Sequence, residues 1–73
     1  MSITAEGTVE QSAMGTGTWA FVTDDATYEL HSSSPDELLQ PGMRAKVTGR
    51  IRDDVMSFAM IGPILEVNSF EPL

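Results

Sequence analysis

From residue 43 to 52 the chain reads MRAKVTGRIR, in which Ala45, Val47, Gly49 and Ile51 alternate with Arg44, Lys46, Thr48, Arg50 and Arg52. A period of two sends successive side chains to opposite faces of a sheet, so the stretch reads as a half-buried strand with small, apolar residues inward and charge outward. Every lysine and arginine of the protein lies on it. Asp53 and Asp54 interrupt the pattern and Val55 opens a second run, VMSFAMI. The shortest connection is a tight hairpin. With Arg52 opposite Val55, the inward pairs become Ile51 with Met56, Gly49 with Phe58 and Val47 with Met60. The missing side chain of Gly49 then makes room for a ring. The outward pairs include Thr48 with Ala59 and Lys46 with Ile61.

The remaining strands follow from the same period. Ile3, Ala5, Gly7 and Val9 alternate with Thr4, Glu6, Thr8 and Glu10, a first strand with an acidic outer face. Gly7 within it marks a bulge or a sharp bend. SAMGTG (12–17) is a loop, TWAFVT the second strand, Asp24-Asp25-Ala26 a turn and TYELH the third strand, with Tyr28 and Leu30 inward. Next, SPDE reads as a helix start, with Ser34 as N-cap, Pro35 in the first helical position and Glu37 closing a capping box. Pro41-Gly42 stops that helix after little more than a turn, and Leu38 and Leu39 plug an apolar space. The fifth strand, begun at Val55, is broken at Gly62-Pro63 and resumes as ILEVNSF. The tail EPL is expected to fray.

Three strands, a short helix and two strands, with an early bend glycine, give the order of a five-stranded Greek-key barrel, and here the chain resembles the OB-fold. The resemblance is carried by AEGTVEQ, TWAFVTDDATYEL, LLQPGMRAKVTGRI and IGPILEV, and covers nearly the whole chain. It is similar to small stand-alone bacterial OB-fold proteins, a likeness that implies a fold and no particular activity. Ala26 departs from the pattern, since a glycine is more usual after the two aspartates. An SH3-like barrel fits less well, because the helix falls between the third and fourth strands.

Size and composition narrow the functional classes. Seventy-three residues make a single domain, residues 1–73, near the lower limit for a core without staples. With no cysteine, disulfides, thiolate metal sites and a cysteine nucleophile are excluded, which suits a reducing cytoplasm. No apolar run approaches the roughly 20 residues of a membrane span, and MSITAEGTVE lacks the marks of a signal peptide. The chain therefore reads as soluble and cytoplasmic, without a membrane role. A net charge of −7 disfavours nucleic acid, whose binding draws most of its affinity from cation contacts.

Several features carry a functional reading beside a structural one. Arg44, Lys46, Arg50 and Arg52 form a basic stripe able to follow a phosphate backbone, or a barrel wall whose cations pair with Glu6 and Glu10 of the neighbouring first strand. Trp19, Phe21 and Tyr28 stand where OB-folds stack bases or sugars. A two-residue turn pairs Phe21 with Leu30 and sends the rings inward; a three-residue turn puts Trp19 and Phe21 outside, opposite His31 and Glu29. His31 is the single histidine, so no site with several imidazoles can form, and a strand-end position in solvent competes with a ligand role. Asp24-Asp25 and Asp53-Asp54 are turn formers or weak cation ligands. GTGTWA (15–20) imitates a dinucleotide fingerprint, but no helix or βαβ unit follows. Finally, Ala59, Ile61 and Phe70 have no place in the core and suggest a protein interface, unless the tail folds over them.

No nucleophile and base pair, metal-ligand spacing or phosphate loop can be assembled, so no enzyme, metal or cofactor is expected. The reading is a non-catalytic module that self-associates or docks on a protein partner. The alternative is single-stranded nucleic-acid or other anionic-ligand binding through Trp19, Tyr28, His31 and the basic stripe.

Overall fold

The computed structural model describes residues 2–11, 18–31, 34–54 and 61–73. Five strands are formed: β1 (Ser2–Gln11), β2 (Trp19–Thr23), β3 (Thr27–Leu30), β4 (Met43–Arg52) and β5 (Ile64–Pro72). They make one sheet bonded in the order β1-β2-β3-β5-β4, and β4 returns to β1, so that every strand has two neighbours in a ring. All pairs are antiparallel except β3 with β5. The chain is all-β, with no helix among the described residues.

β4 follows its alternation. Ala45, Val47 and Gly49 are buried, Ile51 is half-buried against the same core, and Arg44, Lys46 and Arg50 are exposed. Around Val47 the core gathers Val9, Phe21, Leu30, Leu38 and Leu65. Val9 lies opposite Phe21 across the β1–β2 ladder, and Ala5 opposite Val47 across β1–β4. Gly7 is buried at the point where β1 begins to pair on both sides, and Val22's carbonyl passes close beside it. Of the expected bulge or sharp bend, no register shift marks a bulge here, and the close approach of Val22's carbonyl accounts for the glycine.

The partner of β4 differs from the expected hairpin. Ile51 lies opposite Leu65 rather than Met56, Gly49 opposite Val67 rather than Phe58, and Val47 opposite Phe70 rather than Met60. Residues 55–60, to which those expected partners belong, lie outside the described residues. In the observed register Leu65 and Val67 meet the inner face while Glu66 stands opposite Arg50, so one alignment serves both core and charge. A register shift separates Thr48 from Gly49. Glu66's carbonyl approaches Gly49 so closely that a Cβ would collide with it, which accounts for the glycine.

The expected helix is replaced by turns. Ser34 does not cap: its hydroxyl donates to the His31 carbonyl at 2.6 Å. Short-range bonds follow, from the N–H of Leu38 to Pro35 O at 3.0 Å, from that of Leu39 to Asp36 O at 3.1 Å and from that of Gln40 to Leu38 O at 2.8 Å, and none spans the four residues of an α-helical turn. Pro35 and Pro41 bracket too few residues to offset the cost of nucleating a helix. The segment still delivers Leu38 to the core, fully buried. It closes in a turn typical of Pro-Gly: Met43 N–H donates to Gln40 O at 3.1 Å, and Gly42 takes φ +81°.

Two further expectations are corrected. The β2–β3 link has four residues, 23–26, between its innermost pair, Val22 opposite Thr27, with Phe21 opposite Tyr28. The Thr23 hydroxyl closes it, donating to Ala26 O at 2.8 Å and accepting from the N–H of Asp25 and Ala26 at 3.3 and 3.0 Å. A side chain thus supplies what a glycine turn supplies elsewhere, and Ala26 is accommodated. The tail does not fray. Pro72 lies opposite Ala45, and Leu73 N–H donates to Arg44 O at 2.9 Å.

Candidate functional site

The outer face of β4 is a mixed-charge wall. Arg52 binds Asp54 through two nitrogens, Nε at 2.8 Å and Nη2 at 2.9 Å, and Glu66 through Nη1 at 2.6 Å. Arg50 Nε is 3.5 Å from Glu66. These hydrogen bonds hold the Asp54 carboxyl down at about 2, chiefly through Arg52 with Asp54's own backbone amide helping, and raise Arg52 above its ordinary value. The partners differ from those expected, because β5 and the turn after β4 supply the carboxylates in place of Glu6 and Glu10. Lys46 stands opposite Glu6 on one side and Glu71 on the other; Arg44 stands opposite Thr8. Both are exposed, and among the described residues the cations engaged in ion pairs are Arg50 and Arg52.

The aromatic residues do not form an outer platform. Phe21 is fully buried, and Trp19 and Tyr28 are half-buried, both packed against the core. The inward arrangement holds, reached through a four-residue connection. His31 is half-buried at the end of β3, where its N–H donates to Leu65 O at 3.0 Å and its carbonyl accepts from Ser34. Of the suggested apolar interface, Phe70 is half-buried and packs on the core, Ile61 is half-buried, and Ala59 lies outside the described residues. Among the described residues Leu73 is the large apolar residue left exposed.

A recess that sequence reasoning missed lies between β1 and the β2–β3 connection. It is a cleft of about 320 Å³ with Ile3, Thr4, Ala5 and Glu6 along one wall and Thr23, Asp24, Asp25 and Tyr28 along the other. No lining residue is basic. Its size is at the small end for ligand pockets, suited to a few side chains rather than to an enclosed cofactor. Of its lining residues, Ile3, Ala5 and Tyr28 are half-buried and pack against the core, and Glu6, Asp24 and Asp25 are exposed. Among the described residues no group of His, Asp and Glu could hold a metal ion. None of those residues forms a helix long and apolar enough to cross a membrane. Nothing in the sequence pattern signalled the cleft, because it depends on β1 running past the end of β2.

Compared with family models, with curated proteins and with solved structures, the chain matches none of them. Fold and site define a class: a small all-β domain closed as a ring of five strands, with a charge-balanced wall on β4 and an acid-lined cleft beside β1.

Proposed function

We propose that this chain is an OB-fold barrel acting as a non-catalytic interaction module that docks on a protein partner of basic character. The OB-type reading is supported by the strand order: β1 to β3 are sequential neighbours, β4 returns beside β1, and β5 joins β3 in parallel. A simple meander would pair β3 with β4. With no helix between β3 and β4 among the described residues, strand order is what separates this barrel from an SH3-like one.

The observation that carries the partner class is the acid-lined, half-apolar cleft. A chain of net charge −7 draws cationic partners toward such a recess and repels phosphate backbones. The rival nucleic-acid reading needs an uncompensated basic track and exposed rings. Instead Arg50 and Arg52 are engaged with carboxylates, and Trp19 and Tyr28 lean on the core. Amide-shift titration at low salt separates the two. Adding short oligothymidylate is expected to leave residues 19–31 and 43–52 unperturbed, whereas a lysine-rich peptide shifts residues 3–6 and 23–28. Salt-sensitive shifts along β4 with oligothymidylate would replace this reading with the nucleic-acid one.

A further inference from the structure

We propose that the outer edge of β1 over residues 2–6 is a docking edge that takes an extended, basic segment of the partner as an additional strand. The inference rests on the protein-partner reading above. β1 pairs with β4 from Ser2 onward but meets β2 only from Gly7. On that second side, residues 2–6 face no strand among the described residues. A strand bonded on one side directs alternate N–H and C=O groups to the other, where they need a partner.

The cleft lies along this edge. Successive side chains of a strand point to opposite faces, so a recess touched by the four consecutive residues Ile3, Thr4, Ala5 and Glu6 runs beside the strand rather than over either face. The β2–β3 connection forms the far wall. The edge is about 17 Å long at roughly 3.3 Å per residue, the length of an ordinary strand. Strand addition uses main-chain bonds for affinity and recesses for alternate side chains for selectivity, and the cleft, with Ile3 and Tyr28 among its lining residues, offers such a recess.

Charge selects the occupant. Glu6, Asp24 and Asp25 border the cleft without a cation among its lining residues. A second copy would carry the same three carboxylates to the edge against two exposed cations outside these ion pairs, Arg44 and Lys46, since its Arg50 and Arg52 are already engaged with Glu66 and Asp54. The acids that discourage self-pairing therefore favour a lysine- or arginine-bearing segment.

The test uses ¹⁵N-labelled protein and three short acetylated peptides: alternating lysine and valine, the same sequence N-methylated at alternate backbone nitrogens, and alternating glutamate and valine. The first is expected to shift residues 3–6 and 23–28 and to slow exchange of alternate amides within residues 2–6. N-methylation should weaken binding about tenfold through lost main-chain bonds. The glutamate peptide should not bind. Combining Glu6→Gln, Asp24→Asn and Asp25→Asn should weaken the lysine peptide about tenfold while leaving the remaining amide spectrum in place. Equal affinity for the N-methylated peptide, without amide protection, would overturn strand addition yet leave a basic protein partner standing. Binding of the glutamate peptide would overturn the charge argument. Dimerisation of the free protein with the same amides protected would name a second copy as the occupant. No shift with any peptide would remove both this inference and the reading beneath it.

Discussion

Phe21→Ala is expected to remove about half or more of the protein's stability at 25 °C. Among the described residues Phe21 is the largest fully buried side chain, set opposite Val9 on one side and Tyr28 on the other, so it ties three strands of the ring together. Removing a buried phenylalanine costs about 3 to 5 kcal/mol, the lost transfer energy plus that of the cavity left behind. A domain of this length has about 4 to 11 kcal/mol in all, and small cores often supply less. Urea unfolding followed by tryptophan fluorescence reports the difference. A loss below about 1 kcal/mol would mean that the ring is not packed around this residue.

Leu38→Ala carries the second large effect, about 2 to 5 kcal/mol. Its interest lies in where Leu38 sits: between Pro35 and Pro41, in a segment held by turns, yet with no exposed surface. The contribution is tertiary, since no helix is there to be weakened. Glu37→Gln, one residue away and exposed, is the matched control and should stay within about 0.5 kcal/mol. Equal effects from the two substitutions would point to a local helix with a working capping box and contradict the plug.

These two residues mark what the sequence makes legible. Alternation identifies faces, and so Ala45, Val47, Gly49 and Ile51 are inward as the pattern requires. It does not identify partners. VMSFAMI and ILEVNSF are both apolar runs that could lie beside β4, and the choice turns on Glu66 reaching Arg50 and Arg52, a contact between residues distant in the chain. Capping signals at 34–37 are local and real, but helix formation needs length, and two prolines deny it. The Thr23 hydroxyl set a turn length that residue statistics for Asp-Asp-Ala do not contain. The cleft was illegible for a different reason. It arises from the offset between the β1–β4 and β1–β2 registers, which no single strand encodes.

That offset is also what the functional account depends on. An open edge on β1 gives a partner strand its main-chain bonds, and the carboxylates beside it give the partner its charge. The decisive measurement is amide hydrogen exchange of the free protein across residues 2–6. Protection that alternates residue by residue, slow where the N–H is bonded to β4 and fast where it points to the cleft, is the expected result. Uniformly slow exchange through all five amides would mean that the second side of β1 is already covered, and no docking edge would remain.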